Sequence, residues 1–286
     1  MPDQNTRFLI ANQHVRGQIV KLEHSYQSIL ANASYTQQVA ELLGQALAAV
    51  AALGSIIKLR GSIIMQVQGD GAIHTLVAQA NNAGEIRGLA HGDQTVEHIN
   101  NPLLGNGRLV MTIEAEGSQR YQGIVQIQGE QLSCSLGAYF KQSEQLPTHI
   151  HLAANAQHAA CFLLQQLPNG ANNVEGESWQ HIKILSETLQ DEELISLEVE
   201  QILFRLFHEQ TVTIFEPIAL KFNCRCSRAK IEPVIIQMGY GDAMQLVQEQ
   251  GEFKAQCEFC NRSHSFDQVD VAALFESAQN APQVKQ

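Results

Sequence analysis

The sequence predicts an α+β fold in which antiparallel sheets surround a buried central helix, followed by a helical linker and a small cysteine-rich domain. Three observations support this prediction: a long apolar helical stretch around residue 45, a run of short strand-like segments after it, and cysteines grouped near the C-terminal end. Because helical and strand-like segments are segregated along the chain, α+β is favoured over an alternating α/β fold.

Length and charge narrow the class of protein. The 286 residues are enough for two or three folding units. The net charge of −11 disfavours nucleic-acid binding, because phosphate contacts depend on Lys and Arg. No apolar run is long enough to cross a bilayer, and Asp3 and Arg7 precede only a short apolar stretch, unlike a signal peptide. We therefore expect a cytoplasmic protein that binds neither nucleic acid nor membrane.

The first predicted domain covers residues 1–176 and contains the central helix and most of the strands. Residues 35–57 combine strong helix formers with apolar positions on most sides, which is typical of a helix buried all round. A second helical stretch is expected near 131–145, and the turn-rich segment 168–178 marks the end of the domain. Strands bounded by Gly, Asn or Asp are predicted at 62–69, 74–80, 85–92, 108–115 and 121–129, and a further strand pair at 149–154 and 161–167.

The second predicted region, residues 177–223, is an acidic helical linker. It carries three basic and nine acidic side chains, a net charge of −6, and its apolar residues recur with helical spacing. This pattern predicts two or three short amphipathic helices that need a partner surface. A segment so acidic, with only an apolar stripe to bury, could be folded only while it is docked.

The third predicted domain, residues 224–286, is a small C-terminal zinc domain. Cys224 and Cys226 are followed after thirty residues by Cys257 and Cys260, which lie on a predicted hairpin before a terminal helix. Two pairs of thiolates are the ligand set that tetrahedral zinc prefers, and cytoplasmic cysteines are reduced rather than joined in structural disulfides. A domain of about 60 residues also has a small core, so bound metal would supply much of its folding free energy, on the order of 10 kcal/mol.

A thiolate cluster of this kind permits more than one function. Oxidation of the sulfurs would remove the ligands and release the metal, so a structural zinc site contains a latent redox switch. From spacing alone, a zinc-ribbon interaction module without redox switching is the more common interpretation. A nucleic-acid-binding module would be revealed by loss of binding when Arg225 or Arg228 is replaced, but the acidic balance argues against it. A thiol oxidoreductase using Cys257 and Cys260 lacks the thioredoxin order of strand and helix around that pair.

Several short motifs accompany the two cysteine pairs along the chain. They are Val15-Arg16-Gly17, Gln68-Gly69-Asp70-Gly71, Arg87-Gly88, Gly105-Asn106-Gly107, Arg120-Tyr121-Gln122-Gly123, Tyr139-Phe140, Ser143-Glu144-Gln145-Leu146-Pro147-Thr148, Arg205-Leu206-Phe207-His208-Glu209 and Phe222 to Arg228. The short glycine motifs are weak singly, but their order together with the cysteine set is specific. With these motifs, nearly the whole chain, from about residue 3 to about residue 270, resembles the redox-regulated 33 kDa heat-shock chaperone family.

The resemblance implies a redox-regulated, ATP-independent holdase that keeps unfolding client proteins from aggregating under oxidative stress, and not an enzyme. The reduced form would be an inactive, zinc-bound monomer. Oxidation would pair Cys224 with Cys226 and Cys257 with Cys260, release the one Zn²⁺, unfold the zinc domain and linker, and favour a homodimer. Spacing alone leaves all three pairings of four cysteines open.

Other candidate residues are assigned structural roles. Cys134 and Cys161 lie beside apolar residues and are predicted to be buried, inert thiols outside the site. His264 follows Cys260 by four residues but is expected to be a surface histidine, since four sulfurs complete the ligand set. Gly69-Asp70-Gly71 lacks the Lys and Ser or Thr of a phosphate loop, so a hairpin turn is predicted.

Overall fold

The computed structural model describes residues 2–55, 61–92, 103–127, 131–168 and 177–280. The chain forms two compact units, Met1–Asn223 and Cys224–Gln286. Within the described ranges, no helix has both the length and the apolar character needed to cross a membrane.

The first unit contains two sheets with mostly antiparallel strands and several helices, as the α+β prediction requires. Its strands are β1 (Gln4–Ile10), β2 (Val15–Leu22), β3 (Gly61–Gly69), β4 (Ile73–Asn81), β5 (Glu85–Gly92), β6 (Gly107–Ala115), β7 (Tyr121–Gln126), β8 (Thr148–Ala154), β9 (Ala159–Gln166), β10 (Val212–Ile214), β11 (Ile218–Ala219) and β12 (Lys221–Phe222). Its helices are α1 (His24–Leu30), α2 (Gln37–Gly54), α3 (Leu132–Tyr139), α4 (Glu177–Ser186), α5 (Asp191–Ser196) and α6 (Val199–Phe207), with a 3₁₀ turn at Ala11–Gln13 and a π-helical turn at Phe140–Glu144.

The two sheets have different strand orders. The first sheet runs β10-β1-β2-β9-β8, with β11 also paired to β1, and the second runs β12-β5-β4-β3-β6-β7. The short β12 pairs in parallel with β5, whereas the other pairs in both sheets are antiparallel. The predicted hairpin turn at Gly69-Asp70-Gly71 is confirmed, because it joins β3 to β4 rather than a strand to a helix.

Helix α2 is the predicted central helix, and it packs against strands of both sheets. From Ala46 to Gly54 every residue is buried, so burial on all sides explains the absence of a polar face. The helix starts at Gln37, two residues after the predicted start, and residues 56–57 of the predicted range lie outside the described residues. The turn-rich boundary at 168–178 also lies mostly outside them.

Strands β1 and β2 were missed by sequence analysis because buried polar residues interrupt their apolar pattern. The Asn5 amide donates to the Gln18 side-chain oxygen at 2.8 Å and to the Ala51 carbonyl at 3.2 Å. The Ser55 hydroxyl donates to the same Gln18 oxygen at 2.6 Å. These hydrogen bonds join both strands to the C-terminal end of α2, so the Asn5 amide and the Gln18 side-chain oxygen find their partners far away in sequence.

Helices α4–α6, here called the linker helices, cover the face of the first sheet opposite α2. Their buried residues form one hydrophobic cluster with that face, which we call the linker cluster. Three phenylalanines lie at its centre: the ring centroid of Phe8 is 6.1 Å from that of Phe162 and 6.3 Å from that of Phe207. The sheet contributes Phe8, Ile10, Val15, Ile19, Ala153, Ala160, Phe162 and Leu164, and the linker helices contribute Ile182, Leu189, Leu194, Val199, Ile202, Leu203, Leu206 and Phe207.

The second unit consists of α7 (Arg228–Met238), α8 (Tyr240–Gln250), the hairpin of β13 (Phe253–Gln256) and β14 (Ser263–Phe266), and α9 (Gln268–Asn280). Its buried apolar core is small, namely Ile235, Ala243, Val247, Phe266 and Val271. The strand expected to lead into the first cysteine pair exists as β12, but it belongs to the second sheet of the first unit rather than to the cysteine-rich unit.

Candidate metal centre

The second cysteine pair lies on the turn between β13 and β14. The turn is closed by hydrogen bonds from the Cys257 backbone N–H to the Arg262 carbonyl at 3.0 Å and from the Asn261 N–H to the Cys257 carbonyl at 2.7 Å. Asn261 adopts a left-handed conformation with φ of 55°, which asparagine tolerates better than most residues. The tight turn presents Cys257 and Cys260 from one end of the hairpin.

The first cysteine pair lies on the irregular segment between β12 and α7. Ser227 has extended backbone geometry at the start of α7, with φ of −155° and ψ of 158°. Cys224 and Cys226 precede this residue, and their two sulfurs lie within 4.8 Å of each other.

The four sulfur atoms converge in the second unit. Cys224 Sγ lies 3.5 Å from Cys257 Sγ, and Cys226 Sγ lies 3.5 Å from Cys260 Sγ. All four lie within 4.8 Å of one another, and none is joined in a disulfide. Tetrahedral zinc with Zn–S bonds of about 2.3 Å separates its sulfur ligands by roughly 3.8 Å. The donor set and its spacing therefore fit a metal ion that prefers thiolates.

The pKa values of three of these cysteines are shifted in different directions. Burial alone raises the pKa of Cys224, but hydrogen bonds from the Cys226 backbone and from the neighbouring thiols outweigh it and lower that pKa to about 7. Burial and hydrogen bonds with the other thiols raise the pKa of Cys226 to about 12, and burial raises that of Cys257. The geometry thus favours one thiolate stabilised by protonated neighbours, and a bound metal ion would displace the remaining thiol protons.

Arg228 connects the segments that carry the two cysteine pairs. At the start of α7, its guanidinium donates to the Ser265 carbonyl of β14 at 2.5 Å and forms an ion pair of 2.7 Å with Asp270 of α9. The guanidinium carbon also lies 4.2 Å from the centre of the Phe266 ring, a cation–π distance. Sequence analysis missed this role because Ser265 and Asp270 lie far downstream, beyond any local pattern.

Other residues considered from the sequence lie outside the centre. Cys161 is buried as predicted, but the prediction for Cys134 was wrong, because that thiol is exposed on α3. His264 is partly buried rather than on the surface, and its Nε2 atom is enclosed. Among the described residues, the group with metal-ligand geometry contains the four cysteine sulfurs and not His264.

The fold matches that of a solved bacterial protein. The crystal structure of a 33 kDa chaperonin, described as a heat shock protein 33 homolog, from Thermotoga maritima superposes with a TM-score of 0.84. The match covers 98% of this chain and 100% of that chain at 18% sequence identity. At this identity the comparison establishes a shared fold.

Sequence comparisons establish the family. A family model described as Hsp33 protein matches residues 3–267. The 33 kDa chaperonin of Nitrosococcus oceani is 41% identical, over 98% of this chain and 96% of its own length. Those of Shewanella sediminis and Pseudomonas aeruginosa are each 40% identical, over 99% and 96% of this chain and 99% and 95% of their own lengths. The chain therefore belongs to the Hsp33 family of chaperones.

Proposed function

We propose that this chain is a redox-regulated, ATP-independent holdase that binds unfolding proteins under oxidative stress. The observation that carries the proposal is the convergence of four cysteine sulfurs, within 4.8 Å of one another, in a unit with a small core. Membership of a chaperone family supports client binding, and the thiol chemistry supports its control by oxidants.

In the reduced state, Cys224, Cys226, Cys257 and Cys260 would hold one zinc ion through their thiolates. Bound zinc would keep all four sulfurs deprotonated and join the hairpin turn to the segment before α7. Because the apolar core of the second unit is small, this link would contribute a large share of its stability. The proposed zinc domain comprises residues 224–286.

Oxidation would convert the ligands into disulfides. We propose that Cys224 pairs with Cys226 and Cys257 with Cys260, so that each pair loses two electrons to peroxide, which is reduced to water. A disulfide sulfur is no longer a thiolate ligand, so the metal leaves and the second unit loses its support. The partly buried state of all four cysteines is compatible with oxidant access.

The linker helices would then release the surface that binds clients. The proposed linker, residues 177–223, lies directly before Cys224 in sequence. Under its helices lies an apolar face built around Phe8, Ile19 and Phe162, each at most 1% exposed. Removing the helices would expose this continuous apolar surface, which is the kind of surface that captures unfolded chains. We therefore place client binding on the first domain, residues 1–176.

The proposed switch also bears on the location, the oligomeric state and the partners of the protein. We propose that the protein acts in the cytoplasm, is a monomer while reduced and forms a homodimer when oxidised, since an exposed apolar face favours self-association. Its partners would be unfolded or partly folded proteins, and it would catalyse no reaction.

The decisive experiment measures metal content, free thiols and chaperone activity on one sample. Reduced protein is expected to contain one zinc and to leave thermal aggregation of a test client unaffected. After peroxide, one zinc and four thiols should disappear together while aggregation is suppressed. Equal suppression before and after oxidation would refute the switch. Zinc binding without any gain in activity would instead indicate a zinc-ribbon interaction module.

A further inference from the structure

A single lysine is buried under the linker helices. Lys21 lies on β2 on the same face as Val15 and Ile19, because side chains of one parity share one face of a strand. It is 4% exposed, and its strand partners are Gln4 on β1 and Ala160 on β9. Among the described residues that are buried, it is the one that carries a formal charge. The linker cluster thus encloses an ammonium group.

This ammonium group is only partly satisfied. Nζ donates a hydrogen bond to the Leu194 carbonyl, near the C-terminal end of α5. An ammonium carries three N–H donors, and the described residues provide this one acceptor. Buried donors without acceptors cost free energy, and a buried charge costs more. The site is therefore a poor environment for a cation.

Nearby acidic residues do not provide the missing hydrogen-bond acceptors for the Lys21 ammonium. Asp191 at the start of α5 pairs with His151 at 2.6 Å, and Glu193 pairs with Arg205 at 2.7 Å. The negative charge of Glu198 raises the pKa of Lys21, but Glu198 is exposed to solvent. Burial lowers the pKa of Lys21 to about 8, and Glu198 offsets this only in part. Docking of the linker helices therefore disfavours the charged form of Lys21.

We propose that Lys21 keeps the docking of the linker helices marginal, so that they leave the sheet readily once the metal centre is oxidised. This inference rests on the proposed function and assigns its regulation to a residue far from the cysteines. When the helices undock, the Lys21 ammonium regains water. This hydration offsets part of the free energy that burial of the apolar face supplies in the docked state. Replacing the ammonium by an apolar residue of similar volume removes the cost of taking that charge out of water.

The test compares Lys21→Met with the wild type in the reduced, zinc-loaded full chain. Methionine keeps most of the length of the side chain and removes the charge. We expect amide hydrogens of α5 and α6 to exchange with deuterium about tenfold more slowly in the variant, measured by mass spectrometry. Lys21→Gln is a second variant that removes the charge but keeps a hydrogen-bond donor for the Leu194 carbonyl. Slower exchange is expected in this variant too, and it keeps the test valid if the methionine variant fails to fold.

Lys141→Met is the matched control, because Lys141 is an exposed lysine of the same unit and its loss changes the net charge equally. Exchange in α5 and α6 should stay at the wild-type rate in this control.

Unchanged or faster exchange in both Lys21 variants would overturn the proposal, because Lys21 would then stabilise the docked helices. Activation by peroxide is followed in parallel, with slower onset expected for Lys21→Met. If the wild type gains no activity, the proposed function fails while the exchange rates still decide the role of Lys21.

Discussion

At the residue scale, the six cysteines differ in chemistry because their surroundings differ. Four lie partly buried with their sulfurs adjacent, Cys161 is fully buried on β9, and Cys134 is exposed on α3. Burial raises the pKa of the Cys161 thiol far above its ordinary value, so that thiol remains protonated. Since the thiolate is the reactive form, the same residue type here serves as packing, as an exposed thiol and as a candidate ligand.

Selective alkylation tests these assignments. In the reduced, zinc-loaded protein, iodoacetamide should modify Cys134 roughly a hundredfold faster than Cys161, since Cys134 is exposed whereas burial keeps the Cys161 thiol protonated. The four clustered cysteines should be protected until a chelator is added. Peptide mass spectrometry gives the rates, and denatured protein labelled at all six sites is the control. Rapid native labelling of Cys161 would contradict the structure.

Arg228 offers a second test at this scale. Arg228→Met removes the ion pair with Asp270, the hydrogen bond to Ser265 and the cation–π contact with Phe266. Residues that support metal ligands without touching the metal typically contribute about 10- to 100-fold to affinity, so zinc should bind at least about tenfold more weakly. Competition with a chromogenic chelator measures the affinity.

The control for Arg228 is Arg262→Met, which removes an exposed arginine from the turn beside the second cysteine pair while leaving the backbone hydrogen bond to Cys257 available. Equal zinc affinity in the Arg228 variant and the wild type would show that the two segments stay aligned without Arg228.

At the element scale, α6 shows how one helix carries both a docking face and an exposed face. Phe207 is 1% exposed and lies in the linker cluster with Phe8 and Phe162, whereas Phe204, three residues earlier, is 73% exposed. Capping boxes begin both α5 and α6, at Gln190 and Glu198. Helices this short are marginal alone. Their persistence depends on the apolar face they cover.

Phe207→Ala should therefore release the linker helices without oxidation. Truncating a buried phenylalanine costs about 3–5 kcal/mol, a large share of what three short helices can gain by docking. Under the proposed function, the reduced variant should suppress client aggregation, as measured by light scattering. Phe204→Ala alters the same helix at its exposed position and should behave as the wild type. Inactive reduced Phe207→Ala would mean that undocking alone does not expose the client surface.

On the scale of the whole molecule, the two units differ in what stabilises them. The first unit has two sheets and extensive apolar clusters on both faces of the first sheet. Among the described residues of the second unit, the buried apolar core is limited to Ile235, Ala243, Val247, Phe266 and Val271, and the proposed metal at the four cysteines would add to its stability. Stability is thus concentrated in the first unit, and we expect loss of metal to affect the second unit first.

Tryptophan fluorescence can report on the linker separately, because the single tryptophan, Trp179, lies on α4 and packs against the linker cluster. Peroxide oxidation with zinc loss should shift its emission to longer wavelength as the ring enters water. The reduced protein kept under reductant is the control. An unchanged spectrum in fully oxidised, active protein would place activation elsewhere than in undocking of α4.

The sequence predicted the elements that depend on local patterns and missed those that depend on contacts between residues far apart along the chain. The strands from β3 to β9 and helix α2 were predicted because their apolar periodicity is local. Strands β1 and β2 were missed because Asn5, Gln18 and Lys21 are buried polar residues whose hydrogen-bond partners lie far away in sequence. Cys134 was wrongly expected to be buried, since apolar neighbours in sequence do not decide which side of a short helix faces solvent.

The sequence by itself determined the α+β class, the acidic character of residues 177–223 and the thiol chemistry available at Cys224, Cys226, Cys257 and Cys260, because these properties depend on residue type and local spacing. Only the tertiary structure decided that the linker helices cover the Phe8 and Phe162 face, that Arg228 ties the two cysteine segments together and that Lys21 is enclosed. Those properties depend on contacts between residues far apart along the chain, and no local pattern contains them.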